Sequence, residues 1–251
     1  MKILWLDINS SYSHSSVALP AIHAQVADKK EWSWCVVRGT INDNPGALAA
    51  AVAEHKPDII SATFWLFNHQ MQIEVLSRVT ALLEGVKIIC GGPEFLGDNE
   101  DFLRRHRFVT AVVRGEGEEA LPALLEAIDN ESSWNHIQGL CWLSDESEGS
   151  FKYHDNGIVR VMNFAALRYP EESSFFKWDK PFVQLETTRG CFNTCAFCVS
   201  GGEKPVRYQT VEQVQARLEN ICAHGIKDVR VLDRTFNYDI ERACRMLDLF
   251  S

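Results

Sequence analysis

A chain of 251 residues with 46% hydrophobic and 24% charged side chains has room for one large or two ordinary domains, at ~100–200 residues each, and the make-up of a soluble globular protein. The formal net charge of −9 argues against non-specific nucleic-acid binding by the whole molecule, although a local basic patch would escape this test. The opening apolar run is too short for a signal peptide and no segment approaches the ~18 apolar residues of a membrane span, so the eight cysteines read as reduced thiols and metal ligands in a cytoplasmic protein rather than as a disulfide framework.

In chain order, residues 2–8 form an apolar strand, followed by a polar loop over 9–16 and a helix to about residue 29. Residues 34–38 are a second strand. Residues 45–55 are an alanine-rich helix with Asn44 as N-cap and Pro45 at its first position. A third strand spans 58–64 and a third helix 70–83; strand four, 86–90, runs into Gly91-Gly92-Pro93. A short helix over 99–105, strand five over 111–114 and a helix over 117–129 complete the series. Five apolar runs alternating with helices predict a doubly wound parallel sheet over residues 1–135, with right-handed crossovers placing helices on both faces. Ligands of such sheets collect outside the carboxyl ends of the strands. The loops there are 9–16, 63–68, 91–97 and 115–117. No G-x-G-x-x-G follows the first strand, which removes the main support for a dinucleotide. Gly115-Glu116-Gly117-Glu118 carries acids where a phosphate needs donors.

The five βα units, Ser61 on strand three, Gly91-Gly92-Pro93 after strand four and Arg114-Gly115-Glu116-Gly117-Glu118 at the last helix together resemble the cobalamin-binding, Rossmann- or flavodoxin-like domain that precedes the radical S-adenosylmethionine (SAM) domain in many two-domain enzymes. The resemblance implies that Ser61, Gly91 and Gly92 line a groove for the nucleotide tail of cobalamin. The D-x-H-x-x-G loop that supplies a cobalt ligand in many cobalamin proteins is missing: Asp7-Ile8-Asn9-Ser10-Ser11-Tyr12 stands in its place. His14 is wrongly spaced and reads as a polar loop residue. Cobalamin is therefore expected without a histidine on cobalt.

Residues 136–181 form a hairpin and linker. Apolar runs at 139–143 and 158–162 are the expected hairpin arms, with turns at 145–150 and 155–157. The stretch 163–181, aromatic and punctuated by proline, reads as an interdomain linker.

Residues 182–251 begin with a strand over 182–186. After it stand Cys191, Cys195 and Cys198 in C-x₃-C-x₂-C spacing. Four cysteines normally complete a cubane cluster, so a compact set of three leaves one iron open to a small molecule. Structural zinc sites pair C-x₂₋₄-C with a second pair of ligands. The later candidates are Cys222, His224 and Cys244, and the first two are i and i+2 on one helix, pointing apart. Zinc is the minor reading. Thr210 caps a helix over 211–224, with Gln213 completing a capping box. A strand over 227–232, a loop at 233–237 and a helix over 239–250 follow.

The C-x₃-C-x-aromatic-C pattern, with Phe197 as the aromatic, resembles the signature of the radical SAM enzymes. The resemblance implies a [4Fe-4S] cluster on Cys191, Cys195 and Cys198, SAM on the open iron with Phe197 against its adenine, reductive cleavage to a 5′-deoxyadenosyl radical, hydrogen abstraction or, with cobalamin, methyl transfer or a related rearrangement, and an electron donor such as flavodoxin or ferredoxin. Asp233, at a strand's carboxyl end, is the expected SAM or substrate contact; a cap or an ion pair with Arg234 is the structural alternative. Gly201-Gly202-Glu203 mimics the family's SAM-binding triplet but sits too close to Cys198, and reads as part of the cluster loop. The family's barrel has about six βα units and this chain has two. The sequence is thus expected to be a piece of a longer protein, or to have its open edge covered by another chain. An iron–sulfur electron-transfer or sensing module and a zinc-stabilised binding protein remain the alternatives to an enzyme, and the substrate is not legible.

Overall fold

In a computed structural model that describes residues 1–11, 16–146, 149–198 and 203–250, the first apolar run folds as strand β1 (Lys2–Asn9). β1 pairs in parallel along its whole length with β2 (Ser33–Thr40), from Lys2 opposite Ser33 to Asn9 opposite Thr40. On its other side lies β3 (Ile59–Thr63), followed by β4 (Lys87–Gly91) and β5 (Ala111–Val113), all parallel. Burial on both faces explains why β1 reads as a nearly continuous apolar run.

Alternation along the strands separates two cores. Leu4, Leu6, Ile60, Ala62, Ile88 and Val112 pack with Leu48 and Val52 of α2 (Pro45–Glu54) and with Val75, Leu76 and Val79 of α3 (His69–Leu82). Ile3, Trp5, Ile59, Ile89 and Ala111 point the other way, onto Leu19 and Ile22 of α1 (Ala18–Val26) and Leu121, Leu124 and Leu125 of α5 (Gly117–Glu126). A short helix, α4 (Glu100–Arg105), adds Leu103 to the first core. This is the doubly wound α/β sheet read from the sequence. The predicted cap is present too: Asn44 Oδ1 accepts from Ala47 N at 3.0 Å.

The hairpin differs from expectation. Its arms are β6 (Leu140–Asp145) and β7 (Phe151–Asp155), and β6 pairs antiparallel with β5, so the sheet has seven strands in the order β2-β1-β3-β4-β5-β6-β7. Residues 158–162 are not the second arm. They return beside residues 114–116: Val159 N donates to Arg114 O at 3.0 Å and Glu116 N to Val159 O at 3.1 Å. β7 escaped the sequence reading because it is an edge strand, with Tyr153 packed on the core and Lys152 exposed. The compact unit accordingly comprises Met1–Val161 and Tyr169–Phe175 rather than closing at 135.

The second unit comprises Met162–Arg168 and Phe176–Ser251. β8 (Val183–Leu185) pairs in parallel with β11 (Val229–Val231), and an antiparallel ribbon joins β9 (Thr188–Arg189) to β10 (Arg207–Tyr208). α6 (Val211–Ala223) and α7 (Ile240–Phe250) follow β10 and β11; Val214, Ile221 and Met246 pack on Val183 and Leu185. The capping box at Thr210 and Gln213 forms as expected. No helix among the described residues is long and apolar enough to cross a membrane.

Gly115 holds φ at +116°, and a Cβ there falls 2.2 Å from Val159 O. Gly115→Ala is expected to destabilise the first unit by at least ~1–3 kcal/mol, the cost of a strained backbone before any clash, as a lower urea midpoint. An unchanged midpoint contradicts the return path of residues 158–162.

Candidate functional site

In the first unit the strand order 2-1-3-4-5 reverses direction between β1 and β3. At such a switch point the flanking loops part and open a crevice at the carboxyl ends. Asn68 anchors it. Its Nδ2 donates to Ile8 O at 2.8 Å and Thr63 O at 3.1 Å, and its Oδ1 accepts from Trp65 N at 2.8 Å. One buried amide therefore ties the ends of β1 and β3 to the loop between β3 and α3. Gln72, a turn further along α3, donates from Nε2 to Leu6 O and Thr63 O, both at 3.3 Å. Sequence reasoning passed over both residues. Asn68 looks like an N-cap for α3, but its side chain caps no amide of that helix.

Ser61 lies on the β3 face shared with Ile59, the α1 and α5 side. It is 1% exposed and its Oγ finds no partner among the described residues. A buried hydroxyl left alone costs about 1–3 kcal/mol, so it is poised for a ligand atom. Gly92 has φ +107°, and a Cβ there meets Phe64 O at 2.6 Å. Gly91 is different: its added Cβ would touch nothing closer than Val113 O at 3.6 Å, so only Gly92 is required by the backbone. A buried, orphaned hydroxyl in the middle of β3 and the backbone bare of side chains after β4 fit the nucleotide tail of a cobalamin in their chemistry. Around the mouth, Trp65 stacks on Phe67 with ring centroids 6.2 Å apart, and Leu66 is 86% exposed. Exposed apolar side chains grouped in this way mark ligand or interaction surfaces. His14 lies outside the described residues; His69, nearby on α3, pairs with Glu94 at 3.0 Å.

In the second unit the cysteine loop leaves through β9 and returns through β10. Gly190 starts it with φ +95°, where a Cβ would meet Glu203 O at 2.5 Å. Cys191 N donates to Glu203 O at 2.9 Å, and Cys191 is only 7% exposed. The Thr235 hydroxyl and the Asn193 backbone beside it lower its thiol pKa against the opposing effect of burial. Cys195 and Cys198 are exposed, linked by a turn in which Cys198 N donates to Cys195 O at 3.0 Å, and Phe197 is 93% exposed. None of the three thiols is in a disulfide. Among the described residues no three Cys, His, Asp or Glu side chains converge at metal-binding range; Cys222 and Cys244 are exposed, and His224 stacks on Trp178 at 3.7 Å. The donor set, three free thiols on one loop, fits an iron–sulfur cluster in its chemistry. Gly201 and Gly202 lie outside the described residues.

Asp233 has a place that sequence reasoning did not give it. Its Oδ1 accepts from Thr187 N at 2.7 Å and Thr188 N at 2.9 Å, and its Oδ2 from the Thr187 hydroxyl. The carboxylate thus holds the stem of the cysteine loop, and both its oxygens are engaged there; it makes no ion pair with Arg234 among the described contacts.

Residues 6–125 match the family model of the B12 binding domain. The chain is 25% identical over 222 residues to 2-(S-pantetheinyl)-carbapenam-3-carboxylate methyltransferase of Streptantibioticus cattleyicolor, covering 82% of this chain and 32% of that protein. It is 23% identical over 194 residues to the cobalamin-dependent radical SAM methyltransferase TokK of Streptomyces tokunonensis, covering 72% of this chain and 28% of TokK. The cobalamin-dependent SAM radical enzyme OxsB, solved with aqua-cobalamin and SAM, superposes with a TM-score of 0.74 at 17% identity, over 98% of this chain and 36% of that one. The chain thus spans about a third of the length of these relatives, and its first unit has the α/β fold of the cobalamin-binding Rossmann-like domain of OxsB.

Asn68→Ala removes three hydrogen bonds from a buried junction and is expected to destabilise the protein by about 2–3 kcal/mol in urea denaturation. A loss under about 0.5 kcal/mol, the level of an ordinary surface substitution, contradicts its role as anchor.

Proposed function

We propose that this chain is the cobalamin-binding and cluster-binding part of a radical SAM methyltransferase. The observation that carries the reading is the presence, in one chain, of a B12 binding domain over 6–125 and a C-x₃-C-x₂-C loop at the carboxyl end of a parallel strand. The relatives named above, two of them methyltransferases, support it. When bound, a cluster with one open iron supplies the electron that cleaves SAM, and cobalamin supplies a methyl carrier.

The residues divide the work. Cys191, Cys195 and Cys198 are the cluster ligands. Cys191, buried and with its thiol pKa lowered, is disposed toward the thiolate, which is the ligand form. Metal binding and folding are coupled where a site is not preformed, so Cys195 and Cys198, exposed on the same loop as Cys191, would complete the ligand set when a cluster binds. Phe197 covers the adenine of SAM. Asp233 keeps the loop's stem in place. Ser61 and Gly92, with Gly91 beside them, receive the cobalamin tail, and cobalt carries no histidine. A flavodoxin or ferredoxin supplies electrons; the substrate is a small molecule or macromolecule whose pocket these residues do not define.

Anaerobic reconstitution with iron, sulfide and cobalamin tests the two sites separately. The full chain should retain cobalamin, read by its visible absorption, and bind about four irons, the content of one [4Fe-4S] cluster. Gly92→Val should abolish cobalamin retention and leave iron uptake intact; Cys195→Ala should do the reverse. His14→Ala should leave the cobalamin spectrum unchanged. A Gly92→Val protein that keeps cobalamin, or a colourless parent that holds zinc, contradicts the proposal.

A further inference from the structure

The cysteine loop is closed at its base by very little backbone. In the ribbon, Arg207 pairs with Arg189 and Tyr208 with Thr188, and among the described residues the backbone bonds that flank it between the two legs are Gln209 N to Thr187 O at 3.0 Å and Cys191 N to Glu203 O at 2.9 Å. An isolated two-stranded ribbon is marginal at best in water, and joining the ends of a long loop opposes it with chain entropy. Side chains from elsewhere in the unit must hold the base together.

Arg242, in the first turn of α7, reaches both legs. Its Nη2 donates to Thr187 O at 3.3 Å, to Thr187 Oγ1 at 3.1 Å and to Gln209 O at 3.3 Å. The Thr187 hydroxyl in turn donates a hydrogen bond to Asp233 Oδ2, so guanidinium, hydroxyl and carboxylate form one chain of hydrogen bonds, and linked bonds of this kind polarise one another. Arg217 of α6 adds bonds from Nη1 to Glu186 O and Gln209 Oε1, both at 2.8 Å. Arg242 is 4% exposed, and its Nε and Nη1 find no acceptor among the described residues. A guanidinium cannot shed its proton, and burying one with incomplete hydrogen bonding is unfavourable. An apolar side chain of similar length would fill this place more stably if packing were all that mattered. The charge is there for the two carbonyls it joins.

We propose that Arg242 is a positioning residue for the cysteine loop: it locks Thr187 to Gln209 at the ribbon's base and so fixes the point from which the three thiols are presented. The proposal rests on the cluster reading of those thiols, but the clamp itself can be measured without metal. Amide hydrogen exchange on the metal-free full chain compares the parent with Arg242→Met and Arg242→Lys. Arg242→Met should speed exchange of the ribbon amides at residues 188–189 and 207–209 by about tenfold or more, the effect of losing hydrogen bonds to a charged group, while α6 and β1 exchange as in the parent. Arg242→Lys, which keeps the charge and a donor, should fall between. Iron uptake on anaerobic reconstitution should decline in the same order. Unchanged ribbon exchange in Arg242→Met overturns the clamp, as does an equal acceleration in α6, which would mean general loosening. If the ribbon responds as stated but the parent takes up no iron, the clamp stands and the cluster reading falls.

Discussion

Both units obey one constraint: parallel strands linked through helices deliver all their carboxyl ends to the same edge of the sheet. Asn68, Gly91, Gly92, Asp233 and the cysteine loop all lie at or after the carboxyl ends of such strands, whereas Ser61 lies inside β3. In the first unit the reversal of strand order between β1 and β3 parts the loops, and the buried amide of Asn68 holds the two strand ends to each other across that gap. In the second, the pairing of Val231 with Leu185 brings Asp233 level with Thr187 two residues further on. The carboxylate that stabilises the loop's stem is therefore placed by strand register, and no separate feature is needed to bring it there.

The parts of the fold that were legible in the sequence are those decided locally. Asn44 and Pro45 announce the start of α2, Thr210 and Gln213 that of α6, and the structure forms both caps. The apolar runs of β1 to β5 are legible because burial on both faces demands them. β7 was not, since an edge strand needs only one apolar face, and the more apolar run after it was taken for its place. That run owes its hydrophobicity to a different partner, the backbone beyond β5, where Gly115 leaves room for Val159.

The sites divide in the same way. The three cysteines are visible because their chemistry depends on spacing within one loop. Gly91 and Gly92 are a single motif in sequence, and only the backbone shows that Gly92 is the one no other residue could replace. Asn68, Gln72 and Arg242 were invisible because their partners are carbonyls on distant segments, such as Ile8 for Asn68 and Gln209 for Arg242. Asp233 was noticed for its position, with a ligand contact and a cap or ion pair as the two readings; in the structure its two carboxylate oxygens accept from Thr187 and Thr188. A polar side chain at a strand's carboxyl end can serve the substrate or the loop that will meet the substrate, and only the hydrogen bonds separate the two.

On the proposed reading the cysteine loop holds a cluster with one iron left for SAM, and electron paramagnetic resonance of the reduced, reconstituted protein with and without SAM distinguishes this from a closed cluster. A cluster signal that changes when SAM is added is the predicted result, because the ligand field of the open iron changes. A cluster signal indifferent to SAM would contradict the claim and identify the loop as an electron carrier.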